Sequence, residues 1–217
     1  MNGPPRQHEV SLHRALRPEE RHRLHAHLEG QLALAVRRGT WRGRRDAVVG
    51  LLLLGTGLRV TEACALRRSD IRVEGGERRL IIRRGKGGKR REVRLPESLR
   101  QVLRDWLDAR QGDAEAPAFP GTIRSTPMNR TTAWRRWKRA LVAVGLDARG
   151  RGCHAARHGL GLALYQQTRD LRLVAAQLGH TDPRSTMIYT APLPEDVDAA
   201  LDAVAPKSSK PGARTSR

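Results

Sequence analysis

The chain is poor in aromatic residues, in cysteine and in acid, and each shortage excludes something. One Phe, two Tyr and four Trp stand among 217 residues. The core must therefore come mainly from Leu, Val, Ile and Ala, a palette that suits packed helices. The two cysteines, Cys64 and Cys153, lie far apart and form no Cys-x-x-Cys pair, which rules out a disulfide framework and a zinc-ligand spacing. They read as ordinary interior or edge residues in a reducing compartment. Long apolar runs are missing too. The longest, Ala47 to Leu54, is interrupted by Gly50 and is far too short to span a bilayer, and the N-terminus has no signal-peptide apolar stretch. A soluble intracellular protein is expected.

Acid is heavily outnumbered. Against 22 Asp+Glu stand 42 Lys+Arg, a formal net charge of +20 with a pI near 11.6. Such a field attracts polyanions, so nucleic acid is the default partner. A membrane-surface role would need a basic amphipathic helix or a lipidation signal, and the sequence contains neither. The length allows one medium-sized domain with a proper core, or two small ones.

Residues 1–14 read as a flexible arm and 206–217, rich in Ser, Lys, Pro, Gly and Arg, as a disordered basic tail. Between them Pro18, Glu19 and Glu20 open a helix running to about Val36, with Leu24, Leu28, Leu32 and Val36 at four-residue spacing on one face. A second helix, 44–56, is apolar on most sides, and a short third covers 61–68. The period then changes. Three strands, at 71–73, 80–82 and 92–95, are separated by the turns Glu74-Gly75-Gly76 and Gly85-Lys86-Gly87-Gly88 and read as an antiparallel meander. Arg83, Arg84, Lys86, Lys89, Arg90 and Arg91 crowd the second turn, a positive finger suited to tracking phosphates. Helices resume at 97–110 and, capped by Asn129, at 130–144. The latter carries Trp134 and Trp137, read as core packing, interleaved with Arg135, Arg136, Lys138 and Arg139, which face solvent or a DNA backbone. The fold class is α+β, mainly α, with a small three-stranded antiparallel sheet.

The stretch from His154 to Tyr189 holds the groups needed to bind and attack a phosphodiester without a metal. His154 and Arg157, three apart, share a face of a helix that begins near His154. Another helix, 170–178, ends at Gly179, a natural left-handed cap, with His180 just beyond. Thr181-Asp182-Pro183 starts a further helix and Tyr189 falls near its far end. A guanidinium can clamp phosphate oxygens, imidazoles can donate to others, and a phenol can act as nucleophile.

In these motifs the chain resembles the catalytic domain of the tyrosine recombinases, the phage-type integrases and site-specific resolvases. Leu54-Gly55-Thr56-Gly57-Leu58-Arg59-Val60-Thr61-Glu62 matches the family's first arginine motif and Gly85-Lys86-Gly87-Gly88-Lys89 its hairpin lysine motif. His154 to His158 matches its His-x-x-Arg-His box, with Ala156 where leucine is usual. Leu178-Gly179-His180 matches the second histidine motif, and Ile188-Tyr189-Thr190 the nucleophile motif. The resemblance implies a catalytic domain over 15–205 that needs neither metal nor cofactor. Arg59 and Arg157 would clamp the scissile phosphate, Tyr189 would attack to give a 3′-phosphotyrosine, and His154 would accept or relay the phenol proton. Lys86, or Lys89 if the hairpin register shifts, would protonate the departing 5′ oxygen, while His180 would hydrogen-bond the phosphate. Glu62 would orient the site and His158 would serve as a structural hydrogen-bonder.

Most members of that family carry a helical DNA-clamping domain before the catalytic one. Here the catalytic pattern begins by about Leu16, so the clamp domain is expected to be missing. The resemblance further implies double-stranded DNA as partner, a homo-oligomer on DNA, read as a tetramer joined through a C-terminal helix at 195–204, help from accessory DNA-bending proteins, and a cytoplasmic, nucleoid-associated location. Two rivals remain: a type IB topoisomerase-like relaxing enzyme, and a catalytically silent DNA-binding regulator on the same fold. A metal-dependent nuclease is weaker, because no compact carboxylate or His/Cys cluster is present.

Overall fold

The computed structural model describes residues 14–84, 90–180 and 184–190, together with Val197 and Leu201. The arm, the hairpin tip 85–89 with Lys86 and Lys89, the 181–183 cap, most of the C-terminal helix and the basic tail lie outside the described residues.

A buried helix organises the molecule. Trp41–Thr56 (α2) buries Ala47 through Leu54 without a break, and α1 (Pro18–Arg37), α4 (Glu97–Asp108), α5 (Arg130–Ala143) and α6 (His154–Thr168) pack around it. A helix hydrophobic on nearly all sides can be stable only in such a surround. Along α1, Leu24 and Leu28 are buried, but the expected apolar row does not continue to Val36, which is 51% exposed while Ala35 is buried in its place. At 3.6 residues per turn each four-residue step overshoots by about 40°. Three such steps carry the last residue off the buried face.

After the short α3 (Val60–Ala65) the chain forms a meander of β1 (Ile71–Arg72), β2 (Arg79–Ile82) and β3 (Arg91–Arg94), antiparallel, with β2 in the middle. Ile71, Leu80 and Val93 face one another across the sheet and are all buried. Arg91 pairs with Ile82 on the last rung. Two residues from Val93, it therefore shares the inner face. The long connection after α4 is fixed to the core by Phe119, which stacks on Trp106, and by Trp106 Nε1 donating to the Ala118 carbonyl at 3.0 Å.

Asn129 caps α5, its side chain accepting from Thr131 N at 2.7 Å. Only one of the two tryptophans on this helix is core. Trp137 is buried, whereas Trp134 is 45% exposed with the Lys138 ammonium over its ring. Residues three apart on a helix differ by about 60° in direction, enough to place one inside and one on the rim. A second, smaller cluster of Val174, Leu178 and Tyr189, backed by Leu160, Leu162 and Leu164, joins α6, α7 (Leu171–Leu178) and the 3₁₀ turn Ile188–Thr190 that follows α8 (Arg184–Met187). Cys64 and Cys153 are buried free thiols, and burial pushes them up to about 11 and about 12. Among the described residues no helix is long and apolar enough to cross a membrane.

Candidate active site

Arg157 is the fixed point of the site. It is 3% exposed, with Nη1 donating to the Gly57 carbonyl at 2.8 Å and Nη2 to the Leu178 carbonyl at 2.5 Å. These acceptors close the C-terminal ends of α2 and α7, where helix carbonyls lack intrahelical partners and carry partial negative charge. Two of five N–H donors thus set the plane of the guanidinium, and the others are what a phosphate could take. Burial, and then the neighbouring Arg59 cation, lower Arg157 to about 10. It stays charged at neutral pH.

Arg59 precedes α3. Its backbone N–H donates to Glu62 Oε2 and its Nη1 to Glu62 Oε1, both at 3.0 Å. Arg91 reaches the same carboxylate from β3, Nη1 to Oε1 at 2.9 Å and Nη2 to Oε2 at 2.8 Å. Burial opposes ionisation of Glu62, but the hydrogen bonds from Arg91 and Arg59 outweigh it and hold the carboxyl below its usual range.

Tyr189 is 1% exposed and sandwiched. Its ring stacks on His180 at 6.3 Å between centroids, and its hydroxyl lies 3.3 Å from His158 Nδ1. Beneath it is Gly161, where a Cβ would come within 2.5 Å of Tyr189 Cζ. The glycine is what lets the phenol lie flat against α6. Burial raises the phenol to about 12, with Arg157 pulling the other way. His158, driven down to about 4 by burial and by His154 and Arg157, is neutral at physiological pH and can accept a proton. His154, at the exposed start of α6, also lies below its usual value through partial burial and the cations Arg157 and Arg59, and its ring sits 6.4 Å beyond that of His158. His180 Nδ1 lies 3.0 Å from Thr186 Oγ1.

The structure therefore brings Arg59, Glu62, His154, Arg157, His158, His180 and Tyr189 together from four segments. The imidazole at hydrogen-bonding distance of the phenol is His158, with His154 one ring further away. Sequence reasoning gave His158 a structural part only, because residue spacing cannot say which side of α6 the turn carrying Tyr189 approaches.

The basic residues expected on DNA divide. Arg84 and Arg90 at the hairpin base and Arg135 and Arg139 on α5 are exposed. Arg83 is held by Asp70 at 2.6 Å and by Glu115 at 2.9 Å, and Arg136 by Asp46 at 2.9 Å. Lys138 covers Trp134. Arg91 points inward to Glu62 and is not on the outer surface of the finger. Alternation from Val93 would have found it. No group of three or more His, Cys, Asp or Glu among the described residues is placed to hold a metal ion.

The family profile described as the phage integrase family matches residues 15–196. The chain belongs to the phage integrase family. Within it, the tyrosine recombinase XerD of Bradyrhizobium diazoefficiens is 36% identical over 168 residues, 73% of this chain and 52% of that protein. XerA of Thermococcus kodakarensis is 31% identical over 148 residues, 68% and 51% respectively. This phage integrase family chain spans about half the length of the curated relatives it matches. Among solved structures, the XerH site-specific recombinase bound to palindromic difH substrate, a post-cleavage complex, aligns with a TM-score of 0.71 at 25% identity, over 87% of this chain and 52% of that one. XerA recombinase aligns at a TM-score of 0.69 and 22% identity, over 89% and 66%, a likeness of fold.

Proposed function

We propose that this chain supplies, over 15–205, the catalytic domain of a site-specific DNA recombinase that cleaves and rejoins duplex DNA through Tyr189. The observation that carries the reading is the phenol of Tyr189 set between His158 and His180, beside the anchored cation Arg157. In the cleavage step Tyr189 Oη bonds to phosphorus as the bond to the 5′ oxygen breaks. The phenol proton passes to His158, with His154 beyond it as relay, and the 5′ oxygen takes a proton from Lys86 of the hairpin. The products are a 3′-phosphotyrosine and a 5′-hydroxyl. Arg59, Arg157 and His180 offset the charge that develops on the phosphate oxygens. Because the ester retains the energy of the broken link, the 5′-hydroxyl reverses the step without ATP. Attack requires the turn Ile188–Thr190 to lift from Gly161, since Tyr189 is covered in this state.

The test uses nicked suicide duplexes bearing candidate sites and looks for a denaturant-stable protein–DNA adduct. The wild-type chain should form it and Tyr189→Phe should not. Persistence in Tyr189→Phe would remove the nucleophile assignment, and adduct formation unaffected by Arg157→Ala would remove the clamp. Paired sites separate recombination from relaxation alone.

Assembly on DNA through the C-terminal segment belongs to the same proposal, as does action in the cytoplasm at the nucleoid. Residues 195–204 carry Glu195, Asp196, Asp198 and Asp202 around Val197 and Leu201, which are exposed. A cavity of about 850 Å³ beside α6 and α7 is lined by Leu95, Leu160, Leu164 and Leu173 together with Arg21, Arg94 and one acid, Glu92. Its apolar floor and basic groups complement that segment from a neighbouring protomer. A monomeric sedimentation profile both with and without target DNA would count against docking in trans.

A further inference from the structure

Arg91 belongs to the basic hairpin by sequence and to the phosphate site by position. Its side chain is 15% exposed, it ends the β2–β3 ladder opposite Ile82, and it pairs in a two-pronged fork with Glu62. Glu62 then has all four acceptor positions filled, two by Arg91, one by the Arg59 guanidinium and one by the Arg59 backbone. The stem of Arg91 also lies across Gly179: a Cβ there would meet Arg91 Nε at 2.2 Å and Cδ at 2.5 Å. Gly179, at φ +68°, stands between the Leu178 carbonyl that anchors Arg157 and the imidazole of His180. One side chain thus touches the carboxylate that positions Arg59 and the turn that positions Arg157 and His180.

We propose that Arg91 is a positioning residue rather than a DNA contact: by filling half of the Glu62 carboxylate it keeps Arg59 singly paired and available to phosphate, and by crossing Gly179 it fixes the turn that carries His180. The chemistry gives the reason. A bidentate guanidinium–carboxylate fork is the stronger arrangement. With Arg91 gone, Arg59 is the one cation left on a buried carboxylate and closes on it, drawing its N–H groups away from the substrate. This inference rests on the recombinase reading of the site.

The experiment measures single-turnover adduct formation on the suicide duplex, and DNA affinity against salt in a Tyr189→Phe background. Arg91→Gln should slow adduct formation about 10- to 100-fold, the scale of a misplaced catalytic group, and leave the affinity and its salt slope unchanged. Loss of a direct phosphate contact would instead lower that slope by about one. Arg91→Lys, which keeps the charge but loses the fork, should fall between wild type and Arg91→Gln and carries the test if Arg91→Gln does not fold. Glu62→Gln should lose a similar factor, and the double variant should lose clearly less than the product of the two, because the Arg91–Glu62 fork is common to both changes. A salt slope lowered by about one, an unchanged rate, or losses that multiply in the double variant each overturn the proposal. Absence of adduct from the wild-type chain would instead sink the recombinase reading itself.

Discussion

A methyl group added at position 161 should unseat Tyr189. The Cβ of Gly161→Ala would lie 2.5 Å from Tyr189 Cζ and 2.8 Å from its hydroxyl oxygen, well inside the ~3.5 Å of ordinary contact. Two effects oppose each other. Replacing glycine in the interior of α6 favours the helix by about 1 kcal/mol, while expelling an aromatic side chain that is 1% exposed forfeits about 1.5–3 kcal/mol of burial. Expulsion wins, and the variant should be less stable by roughly 0.5–2 kcal/mol. The phenol reports the same event. Burial holds Tyr189 at about 12 against an ordinary value of about 10. The native state therefore keeps its proton more tightly than the unfolded chain. That contribution is fully present below about 10 and is lost as pH climbs to about 12, a difference on the order of 3 kcal/mol. The assay is a phenolate absorbance titration of wild type and Gly161→Ala, each corrected by its Tyr189→Phe counterpart to remove Tyr165. The midpoint should fall from about 12 towards 10 in Gly161→Ala, and alkaline destabilisation should flatten with it. An unchanged midpoint with unchanged stability would show that contact with Gly161 does not hold the nucleophile.

His158, held at about 4 in the fold and about 6.5 when free, favours the native state when neutral. Its contribution is present above about 6.5 and is lost as pH falls towards 4, so urea denaturation across that window should show a shallower loss for His158→Gln than for wild type. On DNA, Arg139→Ala should lower the salt slope of binding by about one, whereas Arg83→Ala, whose guanidinium is already held by Asp70 and Glu115, should leave it unchanged; equal slopes for the two variants would contradict that sorting. Leu28→Ala should cost about 2–5 kcal/mol and Val36→Ala less than about 0.5 in thermal or urea unfolding, and similar losses would mean that α1 keeps its apolar row to the end.

Local chemistry made much of this fold legible. Asn129 before a helical pattern, Gly179 after one, and Leu80 and Val93 alternating with charged neighbours each act within a few residues, and α5, α7 and the meander follow from them. What failed was reasoning carried beyond that range. A four-residue repeat drifts off the buried face by Val36, and a pair of tryptophans three apart straddles the boundary at Trp134. The pairing of His158 with Tyr189 joins residues brought together by a turn whose approach no spacing records.

The basic finger shows the deeper limit, because charge counts locate a field without assigning its members. Six cations near one hairpin look equivalent in sequence, yet what separates those described is the placement of the few acids. Asp70 and Glu115 hold Arg83, Asp46 holds Arg136 on α5, and Glu62 meets Arg91, which strand alternation has turned to the inner face. Each of those carboxylates comes from a different element, so the pairings exist only once the elements converge. In a chain this basic the scarce residue carries the information. The acids decide which arginines hold the protein together and set its site, and of the residues expected on DNA those they leave exposed, Arg84, Arg90, Arg135 and Arg139, are the ones to test on the phosphate backbone.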